Sequence, residues 1–116
     1  MLEKKNRIPS KIMDNVIKSG KSFHADTFYG KILLNDIKNP RFAVILSAKM
    51  IKKSTDRHLL KRRIVCVIRE FLKKYPQTLT KPFDLVIFPK KGVLLLNYPQ
   101  ILSEINKILE HVFLSL

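Results

Sequence analysis

Apolar side chains recur along this chain at helical and at alternating spacings, and the changes of period mark out its elements. Ile12, Met13, Val16 and Ile17 fall on one side of a short helix that Ser10 opens as an N-cap, and Gly20 suits the left-handed position that would close it. Phe23 to Leu34 is rich in aromatic and β-favouring residues, and Arg41 to Ser47 adds Phe42, Val44, Ile45 and Leu46. With Asn35 to Pro40 as the turn between them, these segments predict an antiparallel pair of strands. Leu60, Ile64, Val67, Ile68 and Phe71 then stand at i, i+4, i+7, i+8 and i+11. That is the stripe of a long helix from about Ser54 or Thr55 to Tyr75, with Pro76 as its stop.

Phe83 to Phe88 is a compact apolar run between Pro82 and Pro89, which suits a buried strand, and Lys90, Lys91 and Gly92 follow as a turn. A last helix starts near Pro99 and carries Ile101, Leu102, Ile105, Ile108, Leu109 and Val112 on one stripe. The order helix, two strands, helix, strand, helix predicts an α+β fold in which helices pack on a small central sheet. No internal repeat breaks the pattern, and a length of 116 residues fits one domain spanning 1–116.

Charge adds a partner to this picture. Apolar residues make up 46% of the chain, too many for a disordered basic tail, yet Lys plus Arg outnumber Asp plus Glu by 23 to 9. From Lys49 to Lys74 six lysines and four arginines face only Asp56 and Glu70, so over half of the net charge of +14 is concentrated there. Such a surface repels itself, and a polyanion relieves the repulsion while releasing its own counterions. Nucleic acid is therefore the first partner to expect; acidic lipid or an acidic protein comes second.

The densest part is Arg57 His58 Leu59 Leu60 Lys61 Arg62 Arg63. At 100° per residue from Arg57, the apolar stripe centres near roughly 330°, while His58, Arg62, Arg69 and Lys73 fall at roughly 100° to 160° as a basic strip. Arg57 and Lys61 continue the apolar stripe and are free only if the helix start projects past the sheet. Unpaired N–H groups at that start, with Lys49, Lys52 and Lys53 just before it, suit phosphate. Arg57, Arg62 and Arg63 add planar bidentate donors. Phe23, Phe28, Tyr29 and Phe42 could offer a second, single-strand surface, although strand aromatics commonly fill cores.

Little else suggests chemistry. Cys66 has no disulfide partner, and the histidines at 24, 58 and 111 lack metal-ligand spacing. His58 among cations reads as a contact residue, Cys66 and His111 as structural, and Asp84 as an isolated acid within a strand pattern. No residues assemble an active site. The N-terminus lacks an apolar signal region, and the longest aliphatic run, Val93 to Leu96, cannot span a bilayer. A cytoplasmic protein without membrane contact is expected.

The run from Ser47, Ala48 and Lys49 through Lys52, Lys53, Arg57, His58, Lys61, Arg62 and Arg63 to Ile64 resembles the signature of the bacterial ribonuclease P protein subunit. In outline that signature has a serine and two lysines, a short spacer, then Arg-Asn-x-x-Lys-Arg and a basic amphipathic helix. Asn6, Arg7 and Ile8, Gly20, Phe28 and the late Phe83 to Ile87 strand extend the likeness over nearly the whole chain. Departures are His58 for the usual Asn, Leu59 where Arg is common, and Met13 and Ile17 where Phe is common.

The resemblance implies a fold of the ribosomal-protein-S5-domain-two type, with a left-handed strand-helix-strand crossover where the general rule favours the right-handed one. It implies that the RNA subunit, using Mg²⁺, performs hydrolysis, and that the protein holds no cofactor of its own. RNA contacts are then expected at Lys49, Lys52, Lys53, Arg57, His58, Lys61, Arg62, Arg63 and Arg69. A cleft of Met13, Ile17, Phe28, Tyr29 and Lys31 is expected to receive the 5′ leader of precursor tRNA. The partners would be the ribonuclease P RNA and precursor tRNA, with no obligate protein partner. The alternative is a ribosomal or other structural RNA-binding protein of the same fold. A stand-alone nuclease is disfavoured by the missing carboxylates, and a DNA reader by the lack of a turn-helix pair before the long helix.

Overall fold

The computed structural model describes residues 2–37, 39–74 and 82–115. Among these residues three helices and four strands follow in the order α1 (Ser10–Ser19), β1 (Lys21–His24), β2 (Phe28–Leu34), β3 (Arg41–Val44), α2 (Ser54–Lys74), β4 (Phe83–Pro89) and α3 (Tyr98–Ser115). Short 3₁₀ turns at Lys4–Asn6 and Lys91–Leu95 flank this set. The expected Tyr75 end of the long helix and its Pro76 stop lie outside the described residues.

The strands form one mixed sheet in the order β1-β2-β4-β3. β1 pairs antiparallel with β2, β2 antiparallel with β4, and β3 parallel with β4. This corrects the expected antiparallel pairing of the Phe23 to Leu34 and Arg41 to Ser47 segments. The first is itself a hairpin, β1 and β2, and its second strand and β3 are separated by β4. The reason lies in burial: β4, apolar but for Asp84 and buried along nearly its whole length, needs a neighbour on each side and cover on its faces, so it takes an interior position.

Alternation then divides the side chains between two layers. Phe28, Phe42, Phe83, Leu85 and Ile87 point to one face and join Leu60, Ile64, Ile68, Phe71, Ile105 and Leu109 in the main core beneath α2 and α3. Phe42 and Phe83 meet edge to face there, with centroids 5.7 Å apart. On the other face, Val86 packs with Ile8 and Val16 in a smaller cluster under α1, bordered by Met13, Ile17, Leu33, Ala43, Ile45 and Phe88. The sheet is thus fully covered on one face and only partly on the other.

Asp84 faces the α1 side at the end of the sheet and is not isolated. Its carboxylate accepts from Arg41 Nε (2.7 Å) and Nη2 (2.6 Å) and from Asn35 Nδ2 (2.8 Å), tying β3, β4 and the end of β2 together. A buried carboxylate needs such partners to offset its desolvation. The N-terminal segment covers the outer edge of β3: Ile8 N–H donates to Phe42 C=O, and the buried Asn6 amide donates to Pro40 C=O at 2.9 Å.

Two glycines answer to crowding. A Cβ at Gly30 would collide with the Val86 carbonyl and with the ring of Phe23, its cross-strand partner. Gly20 does close α1, but in extended conformation (φ −71°, ψ 151°), not the left-handed one expected. Its need is space: a Cβ there would strike the Val16 carbonyl.

Candidate nucleic-acid interface

The chain between β3 and α2 is short and firmly held, with apolar side chains such as Ile51 turned inward and lysines outward. Ser47 Oγ accepts from the N–H groups of Lys49 (3.0 Å) and Met50 (3.4 Å), while Ser47 C=O accepts from Met50 and Ile51. Ile51 anchors the turn in the main core. From the first turn of α2, Arg57 Nη1 reaches back to the carbonyls of Ile51 (2.8 Å) and Lys52 (2.9 Å). This bracing leaves Lys49, Lys52 and Lys53 exposed around the start of a 21-residue helix. The first-turn N–H groups open there and their partial charge suits an anion.

Arg57 therefore has a different standing from its neighbours. The expectation that it is free holds only if the helix start projects, and instead it folds back, half-buried, as a clamp on the preceding loop. The next cations divide by helical angle. His58, Lys61, Arg62 and Arg69 line one wall of a groove of about 770 Å³. Phe42, Ala43, Val44 and Ile45 of the β3 segment form its floor, and Leu2, Arg7, Ile8 and Met13 form its far side. Arg63, expected with them, lies on the opposite flank near Tyr98. There the Tyr98 hydroxyl is held above its ordinary pKa, chiefly by its hydrogen bond with the Cys66 thiol, then by desolvation and the charges of Cys66 and Glu70, against the Arg63 guanidinium.

An apolar floor beside a cationic wall can bind a strand whose backbone is charged and whose bases are not. Arg62 and Arg69, both exposed and about two helical turns apart, can each meet a phosphate, while Val65 between them gives the wall an apolar surface. Arg7, on the far side, adds a cation from outside α2. Sequence periodicity had no means of bringing it here, since the isolated bridge Arg7 to Phe42 that places it is a single tertiary contact.

The open part of the α1 face forms a second surface. Met13 and Ile17 are half-buried on α1, and Tyr29 and Lys31 point from β2 toward the same side. Lys31 Nζ donates to Ser22 Oγ across the β1-β2 pair. Phe28 does not belong to this surface: it is fully buried on the opposite face, in the main core. Period-2 alternation requires this once Tyr29 faces outward. In its place are two rings not anticipated, His24 of β1 and Phe88 of β4, which are the direct cross-strand neighbours of Tyr29. Tyr29 and Phe88 stack with centroids 4.7 Å apart and planes 8° apart; His24 and Tyr29 lie 6.0 Å and 15° apart. Only the register, not the spacing within any one strand, reveals this row.

Among the described residues no three His, Cys, Asp or Glu side chains come together in a way that could hold a metal ion, and no helix is long and apolar enough to cross a membrane.

Comparison with known proteins agrees with this architecture. No curated protein sequence matches the chain. Among solved structures, the Staphylococcus aureus RNase P protein superposes with a TM-score of 0.72 at 19% identity, covering 92% of this chain and 94% of that one. A mutant of that protein, described as defective in mRNA degradation activity, gives 0.75 at 20% identity, over 95% and 90%. The Thermotoga maritima RNase P protein gives 0.72 at 22% identity, over 90% and 96%. These likenesses establish the shared α+β fold. The family model for ribonuclease P matches residues 2–112, nearly the whole chain, and the chain belongs to the ribonuclease P protein family, and with it to the RNA-binding apparatus of tRNA processing.

Proposed function

We propose that this chain is the accessory subunit of ribonuclease P, which holds the catalytic RNA at the entrance and basic flank of α2 and guides the 5′ leader of precursor tRNA across the open face of the sheet. In this reading the RNA subunit and its Mg²⁺ carry out hydrolysis. The protein places cations between two polyanions, which lowers their repulsion and favours cation binding by the RNA. It works in the cytoplasm with no obligate second protein. Lys49, Lys52, Lys53, His58, Lys61, Arg62 and Arg69 contact the RNA subunit, and Arg63 reaches it from the other flank of α2. Arg57 serves mainly by holding the loop that displays the three lysines. Met13, Ile17, Tyr29 and Lys31 face the leader.

The observation that carries the proposal is the braced loop 47–53 followed by a cationic helix flank that forms one wall of an apolar-floored groove. A mobile loop would lose backbone entropy on binding, whereas a loop pinned by Ser47, Ile51 and Arg57 presents its lysines from a backbone already ordered. The test is reconstitution with a ribonuclease P RNA at limiting Mg²⁺, following 5′ maturation of precursor tRNA. Stimulation by the protein is expected. Cleavage by the protein alone, or no stimulation of the RNA, refutes the proposal.

A further inference from the structure

The row of rings across β1, β2 and β4 constrains how a base can meet this face. Tyr29 stands in the middle strand of the three, with His24 on one side and Phe88 on the other. The rings are near-parallel, so each neighbour takes one face of the phenol. The wider gap, 6.0 Å between the His24 and Tyr29 centroids, is less than the about 6.8 Å, twice the 3.4 Å stacking rise, that insertion of a base requires. Tyr29 therefore has its hydroxyl edge to offer and no free face. At the β4 end, Phe88 runs into the apolar cluster beneath α1. The only open end is the outer face of His24, which is exposed on the edge strand β1.

We propose that a single-stranded nucleobase stacks on the outward face of His24, extending the row by one ring, while Tyr29 contributes its hydroxyl and not a stacking surface. The proposal deepens the leader reading above and rests on it. The position is held in advance: Ala25 N–H donates to Phe28 C=O at 2.8 Å, and Lys90 Nζ donates to Ala25 C=O at 2.8 Å, which fixes the turn directly after His24. Lys31 lies on the same face, opposite Ser22 and so two residues along β1 from His24. That places an ammonium about 7 Å along the strand from the imidazole, within reach of the phosphate of a base stacked there. A row with a free imidazole at its end accepts any base, because every base has a π face.

The holoenzyme, reconstituted with ribonuclease P RNA, is assayed for binding to precursor tRNA with a leader, to the same RNA with single abasic leader positions, and to mature tRNA. His24→Ala should weaken leader-bearing substrate by about fivefold or more and leave mature tRNA unaffected. His24→Phe should restore binding, and Tyr29→Phe should act less than His24→Ala. One abasic position should reproduce the His24→Ala loss and add nothing to it. Circular dichroism checks that each variant folds. A leader that strengthens binding equally in wild type and His24→Ala overturns the stacking site while sparing the leader reading. Equal binding of leader-bearing and mature RNA by wild type overturns both.

Discussion

Lys61→Ala together with Arg62→Ala, set against Arg57→Ala, separates charge that binds RNA from charge that holds the fold. Lys61 and Arg62 are exposed on the groove wall, and no side-chain ion pair occupies them among the described residues. Their loss should shift stability by only about 0.5 kcal/mol. Each phosphate they neutralise contributes about 0.7 to 0.9 to the slope of log affinity against log salt, so the double change should flatten that slope by about 1.4 to 1.8. Between 50 and 200 mM salt the wild-type advantage should then shrink about 7- to 12-fold. Arg57→Ala removes two hydrogen bonds from a half-buried guanidinium to the Ile51 and Lys52 carbonyls, at a cost of about 1 to 2 kcal/mol, or about 4 to 8 °C in melting temperature. Filter binding to the RNA subunit over a salt series, with thermal melts of the free protein, reads both effects. Parallel salt dependences for wild type and the double variant would refute phosphate contact at the groove wall. An Arg57→Ala protein with unchanged melting and a flattened slope would refute the clamp.

Three further outcomes follow from the packing. Asp84→Ala strands the Arg41 guanidinium, whose side chain is 14% exposed, and should cost about 3 to 5 kcal/mol in denaturant unfolding; a loss below about 1 kcal/mol would show that the pair is dispensable. Phe28→Ala should lower stability by about 3 to 5 kcal/mol while leaving the ratio of leader-bearing to mature tRNA affinity at its wild-type value in the folded fraction. A selective loss on leader-bearing substrate would return Phe28 to the cleft. Gly30→Ala should destabilise by more than the about 1 kcal/mol that propensity alone would gain, because the Val86 carbonyl cannot retreat from the centre of the sheet; a neutral melt would contradict that crowding.

The helices and β4 were legible because their stripes and runs are local. Leu60 to Phe71 states its period in one stretch, and the basic strip of His58, Arg62 and Arg69 follows from the same angles. Strand partnership was not legible: nothing within Phe28 to Leu34 or Arg41 to Val44 says that residues 83–89 will lie between them. Phe28 and Tyr29 show how fine the division is, since adjacent aromatics of similar size serve opposite faces. The clamp made by Arg57 was hidden because its partners are backbone carbonyls, which every residue carries. Arg7, His24 and Phe88 reach their places through tertiary register alone.

The central position of β4 has a consequence for the birth of the protein on the ribosome. Its two neighbours are both synthesised before it, and β3 waits through the whole of α2 for the strand it must lie against. Until then β2 and β3 leave the tunnel with bare edges, joined by a connection short enough to let them zip together in the wrong, antiparallel way. Insertion of the late strand must win against that local trap, so slow translation between α2 and β4 would lengthen the time in which the nascent chain is exposed to it.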